Sequence, residues 1–234
     1  MLLILSEQTT NLIVRTKLKK NCVLRASAPP RLQTYLMSIL NQKHLLFWSG
    51  GKDSFLALCY LRDDGIRDPL LLTTFDDESG RVPHQNIPVE NIQQQAIDLE
   101  LTLFTVPLSY PASNAQYLNA LKKSLKDIPF EIECIVFGDL HLQDIRAWRE
   151  TELGEKMGFQ LKFPIWNKHY DELFSRLEQE NVEIRITSVQ PEYREWIKPG
   201  QLFDRKFADS LPSHIDPMGE KGEFHTEVII PKHS

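Results

Sequence analysis

The chain has 234 residues, 41% of them apolar, with a net charge of −5 and a pI near 5.8. That suits one α/β domain with an appendage, or two small domains at most. The acidic balance argues against general affinity for nucleic acid or acidic membranes, and no run approaches the roughly 18 apolar residues of a membrane span. The three cysteines, Cys22, Cys59 and Cys134, form no CxxC pair, which disfavours a zinc or iron–sulfur site and fits a reducing cytoplasm.

Residues 1–36 differ from the rest of the chain. Six basic residues, Arg15, Lys17, Lys19, Lys20, Arg25 and Arg31, face one acid, Glu7, and Ala28-Pro29-Pro30 interrupts any helix. A basic, acid-poor lead can be a transit peptide. The simpler expectation is a peripheral extension over 1–43, with Met37 as a candidate start.

From His44 onward strand-like and helix-like runs alternate. The strands are expected at 44–48, 69–75, 102–106, 132–137, 159–163 and 182–188, and the helices at 53–63, 89–99, 114–126, 143–157 and 169–180. A final strand-like run covers Glu227–Ile230. This alternation predicts an α/β fold with a parallel twisted sheet and helices on both faces. Leu70-Leu71-Leu72 and Ile135-Val136-Phe137 are continuous apolar runs, as strands buried on both faces require. We expect a nucleotide-binding domain at 44–168 and a small C-terminal subdomain at 169–234.

Between the first strand and the first helix lies Ser49-Gly50-Gly51-Lys52-Asp53-Ser54. Two glycines let main-chain N–H groups approach an oxyanion, and the helix behind them presents its positive end. Ser49 and Ser54 add hydroxyl donors and Lys52 a full charge. The spacing is not that of a Walker P-loop. Ligands of open parallel sheets bind beyond the carboxyl ends of strands. That rule places 49–54, Thr73–Asp77 and Gly138-Asp139 on one rim. A second polar constellation comes after Asp139: on a helix, Gln143, Arg146 and Glu150 share a face, with Arg149 nearby. Two guanidiniums suit an anionic group, but spacing alone fits a solvated, ion-paired helix better. A third runs from Asp216 to Thr226, where Gly219 and Gly222 alternate with Glu220 and Glu223, and His225 comes next. An ordinary surface turn is the alternative there. His84, in the polar loop after the second strand, fits a substrate contact or a solvated position equally.

The string 49–54 resembles the motif of the PP-loop ATP pyrophosphatases, which split ATP between its α and β phosphates. With Gly138-Asp139, Leu142, Asp144, Arg146, Arg149 and Glu150, with Phe163-Pro164-Ile165-Trp166, and with Gly219–Thr226, the chain is similar to the diphthine–ammonia ligase (diphthamide synthetase) family from about Leu45 to Ile230. Met218, Lys221, His141 and Gln143 depart from that family's usual residues.

The resemblance implies a Rossmann-like, adenine nucleotide alpha hydrolase-like fold. It implies an ATP-dependent ligase that adenylates a carboxylate, releases pyrophosphate, and lets ammonia displace AMP. Ser49, Gly50, Gly51, Lys52, Asp53, Ser54, Thr74 and Gly138 are then the nucleotide contacts, and Asp53 the Mg²⁺ ligand. Asp139 is a second metal or ribose contact. His84, Arg146, Arg149, Glu150 and Thr226 are substrate contacts. Glu220 and Glu223 hold and deprotonate ammonium, and His225 orients the acyl group. The family name implies a modified histidine of translation elongation factor 2 as the carboxylate, though nothing in the residues identifies it. Oligomeric state is left open, a homodimer included. Two other PP-loop roles remain as alternatives: a tRNA-modifying enzyme, disfavoured by the acidic charge and the apolar setting of Cys59 and Cys134, and a non-catalytic ATP-binding regulator.

Overall fold

The computed structural model describes residues 42–231; the basic lead and Cys22 lie outside the described residues. Strand β1 (Gln42–Phe47) leads through a glycine turn into helix α1 (Lys52–Asp63). Strand β2 (Leu70–Asp76) is followed by a short hairpin, β3 (Arg81–Val82) and β4 (Ile87–Pro88), and then by α2 (Val89–Asp98). Next come β5 (Leu103–Leu108), α3 (Asn114–Asp127), β6 (Glu131–Val136), α4 (Gln143–Arg149) and β7 (Gln160–Lys162). Helix α5 (Tyr170–Glu178), strand β8 (Glu183–Val189), helix α6 (Arg205–Asp209) and strand β9 (Phe224–Ile229) complete the chain.

The main sheet runs β4-β3-β2-β1-β6-β7, with β5 on the free edge of β2. The β1–β2, β2–β5 and β6–β7 pairs are parallel, and the short β3 pairs antiparallel with both β2 and β4. The chain therefore has the mostly parallel, Rossmann-like α/β architecture that the alternation predicts. The strands' apolar runs divide strictly by period two. Leu46, Leu71, Cys134 and Val136 enter one core, and Leu45, Leu70, Leu72, Ile135 and Phe137 enter the other. Helices α1 and α2 cover the first face, and α3 covers the second through Leu121. Helix α1 is apolar nearly all round, with Phe55, Leu56, Ala57, Leu58 and Leu61 buried. It needs to be, because its outer side packs under Leu173, Phe174, Phe203 and Phe224 of the C-terminal segment.

Three elements differ from expectation. The helix expected at 143–157 is α-helical only to Arg149 and continues as π-helical turns over Glu150–Glu155. Gly154 weakens the tighter ladder there, and Leu161 of β7 lies 3.6 Å from where its Cβ would be. The wider turns seat Leu153 in the second core. Strand β8 does not extend the parallel sheet; it pairs antiparallel with β9 in a separate two-stranded sheet. Its sequence explains why: Glu183-Ile184-Arg185-Ile186 alternates charged and apolar residues, which fits a strand with one face wet. The loop after β2 also carries the short β3–β4 hairpin. Among the described residues no helix is long and apolar enough to cross a membrane.

Candidate nucleotide site

A cleft of about 1050 Å³ opens beyond the carboxyl ends of β1, β2 and β6, at the upper end of the usual range for ligand pockets. Its floor is the loop after β1. Gly50 sits at φ +79°, a conformation that a side chain would strain. Gly51 is the N-cap of α1 and brings no side-chain cap; its N–H donates to the Ser49 hydroxyl at 3.4 Å, and the helix start faces the cleft. A Cβ on Gly51 would lie 2.8 Å from the Thr226 carbonyl. The loop and β9 therefore touch backbone to backbone. Thr226 also reaches into the loop through its Oγ1, which accepts from the Lys52 main-chain N at 3.1 Å.

Lys52 is almost fully buried, and its Nζ donates to both oxygens of Asp53, at 2.8 and 2.9 Å. The Asp53 side chain keeps 31% exposure, so the pair opens on the cleft through its carboxylate. The Ser49 hydroxyl donates to the Ser54 hydroxyl at 3.2 Å, and Ser54 donates to the Gly51 carbonyl at 3.0 Å. Gly138 closes the floor. A Cβ there would sit 2.6 Å from the Asp53 carbonyl, so only glycine lets β6 and α1 meet. Thr74 and Phe75 line the wall above β2, whereas Thr73 is buried and donates to the Trp48 carbonyl at 2.5 Å.

The second constellation divides. Arg149 donates to both oxygens of Asp139, at 2.6 and 3.1 Å, and its guanidinium lies 3.9 Å from the Phe137 ring centre. Both line the cleft. Arg146 is bound to Glu150 at 2.8 Å and stacks on Phe163 and Trp166; neither Arg146 nor Glu150 lines the cleft. Sequence spacing treats the two arginines alike, and the fold separates them.

The third constellation also divides. Glu223 is fully buried, and its two oxygens accept the main-chain N–H groups of Asp216 and Lys221 at 3.0 and 2.9 Å. It braces its own loop. Glu220 turns into the cleft, with no hydrogen bond among the described residues. Burial pushes its carboxyl up to about 8, helped by the nearby charge of Asp53 and opposed by Lys52. Asp216 holds the loop from behind, accepting the Tyr170 hydroxyl at 2.8 Å and the Met218 N–H at 2.8 Å. Beyond the loop, His225 is pressed down to about 4 by burial, with His84 and Lys52 as further causes, so its imidazole is neutral at pH 7. Its ring centre lies 5.9 Å from that of His84, which occupies a left-handed turn at φ 67°.

The structure thus brings together Ser49, Gly51, Lys52, Asp53, Ser54, Thr74, His84, Gly138, Asp139, Arg149, Glu220, His225 and Thr226 around one cleft. Gly50, Arg146, Glu150 and Glu223 stand behind it. Sequence reading missed Tyr110, Tyr117, Trp148 and Gln190, which complete the walls. Burial pushes the Tyr117 phenol up, against the Arg149 charge. The capping box of Ser113 and Gln116, which starts α3 at the mouth of the cleft, was the available signal for Tyr117.

Among the described residues no three His, Cys, Asp or Glu side chains are grouped to hold a metal. A cation bound here would share its ligands with phosphate oxygens, the arrangement Mg²⁺ favours. The partly exposed Asp53 carboxylate beside the helix start suits that role.

A parallel sheet with a Ser-Gly-Gly-Lys-Asp-Ser loop at a strand-to-helix turn, opening on a cleft at the strands' carboxyl ends, defines a nucleotide-binding protein of the PP-loop class. The profile of the family described as Diphthamide synthase N-terminal domain matches residues 42–161, just over half of the chain. The chain belongs to this family, which is ATP-utilising and enzymatic in character. A search of curated proteins found no match.

Proposed function

We propose that the protein is an AMP-forming, ATP-dependent ligase that joins ammonia to a carboxylate, as a diphthine–ammonia ligase does. The observation carrying this reading is the meeting of two oppositely equipped loops in one cleft. The 49–54 loop offers N–H groups, hydroxyls and an ammonium to an anion. The 219–226 loop aims at the same space a carboxylate with no hydrogen bond among the described residues.

On this reading Ser49, Gly51 and Ser54 hold the β and γ phosphates, Gly50 shapes the turn behind them, and Lys52 exchanges its bond to Asp53 for one to phosphate. Asp53 is the residue that would hold Mg²⁺, which when bound would supply charge neutralisation to the pyrophosphate. Thr74 and Phe75 flank the nucleoside. The substrate carboxylate oxygen attacks the α-phosphorus, and the bond to pyrophosphate breaks. The nitrogen of ammonia then attacks the acyl carbon, the bond to AMP breaks, and the proton lost from nitrogen passes to Glu220. A bound ammonium favours the ionised form of Glu220, because an adjacent cation opposes the burial that protonates it. The neutral His225, with His84 beside it, orients the acyl group. Arg149, locked on Asp139, forms a rigid wall. Glu223 and Thr226 act on loop shape, and Arg146 with Glu150 supports the helix behind the wall.

The test is product analysis. Incubation with ATP, Mg²⁺, ammonium and candidate carboxylates should yield AMP and pyrophosphate in equal amounts, dependent on both ammonium and the acid. Release of ADP and phosphate would overturn the reading. Binding of ATP without turnover on any acid would favour the non-catalytic role.

A further inference from the structure

We propose that Gln95 is a positioning residue for the nucleotide loop, clasping it to the C-terminal strand. The inference rests on the reading of 49–54 as the phosphate site. Gln95 lies on α2, 45 residues beyond Gly50, and is 4% exposed. All its side-chain polar atoms are engaged. Its Nε2 donates to the Gly50 carbonyl at 3.1 Å and to the Val228 carbonyl at 2.7 Å, and its Oε1 accepts the Trp48 indole N–H at 2.8 Å. The Gly50 carbonyl also accepts the Val228 N–H at 2.9 Å. One amide therefore joins the residue entering the loop, the loop's left-handed glycine and β9.

A buried amide with three partners of fixed direction leaves the loop little freedom, because each group it released would be desolvated and unpaired. Burial alone does not call for a glutamine here. The neighbouring inward positions of α2 are Ile92 and Ala96, and an apolar side chain would fill the space. What glutamine adds is the orientation of the peptide joining Gly50 to Gly51, and Gly51 lines the cleft. The clasp also ties phosphate binding to the placement of β9, which carries Thr226 and His225. Nucleotide and acyl sides of the cleft are thereby set by one side chain that touches neither.

The experiment compares ATP affinity, by calorimetry with Mg²⁺ and no acyl substrate, in the wild type, Gln95→Leu, Gln95→Glu and Ile128→Val. Gln95→Leu removes all three bonds, and Gln95→Glu keeps only the acceptor for Trp48. Ile128→Val truncates the opposite core and serves as the purely structural control. Both Gln95 variants should weaken ATP binding about tenfold or more, while Ile128→Val lowers thermal stability and leaves Kd unchanged. In turnover the Gln95 variants should raise the KM for ATP and also lower kcat, because β9 carries His225 and Thr226. Unchanged Kd in folded Gln95 variants overturns the clasp alone. Absence of ATP binding in the wild type overturns the phosphate site and the clasp together. Should the variants not fold, hydrogen exchange on the wild type decides: ATP should slow the Val228 amide along with those of the loop, and protection confined to 50–54 would overturn the proposal.

Discussion

Two glycine-rich, charged loops meet in the cleft, and they use their backbones in opposite ways. The 49–54 loop has no side-chain bond from its N-cap residue; Ser49 takes the Gly51 N–H and Thr226 that of Lys52, which leaves the next amides of the helix start without a cap. The 216–226 segment directs two donors inward: Glu223 takes the N–H groups of Asp216 and Lys221, and the segment shows the cleft the carboxylate of Glu220 together with Lys221. On the proposed reading, similar composition builds an anion cradle in one place and a carboxylate-bearing wall in the other. The sign of a polar loop depends on whether its own side chains already occupy its amides.

The sharpest break of that contrast is at Lys52. Lys52→Met removes the one full positive charge from the cradle and leaves Asp53 unpaired beside the phosphates. AMP release should fall by about 10²–10³-fold or more, measured by initial rates at saturating ATP. Exchanging the two glutamates sharpens the contrast. Glu220→Gln should lower the rate of amide formation by about 10²-fold, with a melting point at neutral pH at or above the wild type's. Glu223→Gln turns an acceptor into a donor facing a main-chain N–H. It should cost about 1–3 kcal/mol of stability, read as a melting point lower by about 2–4 °C per kcal/mol. If the two variants behaved alike in both assays, the division between cleft-facing carboxylate and brace would fall.

The smallest effect is in pH dependence. Glu220 titrates near 8 in the folded chain against an ordinary value of 4.5. Between those values the folded state holds a proton that the unfolded state has lost, so this group's contribution to stability declines as pH rises through the window. His225 has the opposite sign. Its folded value of about 4 lies below 6.5, so stability rises with pH between the two. Between pH 4.5 and 6.5 the two oppose each other, and above 6.5 Glu220 acts alone. Denaturant midpoints of Glu220→Gln should fall less steeply than the wild type between pH 6.5 and 8.

Much of this was legible beforehand because its causes are local. Continuous leucines mark a strand buried on both sides, and Gly50-Gly51 before an apolar helix marks an anion turn. No partner distant in sequence is needed to recognise either. The split of Arg146 from Arg149 was not legible, since helical spacing places both near Glu150, and only Asp139 and Phe137 on β6's end draw one of them inward. Gln95 gave no signal at all: an amide on an amphipathic helix is usually wet, and its three partners come from residues 48, 50 and 228.

The amino-acid string alone determined the parallel α/β scaffold, the glycine turn between its first strand and helix, and the chemical kinds of group around it, because period, propensity and glycine geometry act within a few residues. Tertiary structure decided which of those groups face the cleft. That choice depends on which hydrogen bonds are already satisfied across the fold, and a carboxylate such as Glu223 is withdrawn from the cleft once two main-chain amides of the folded loop claim it.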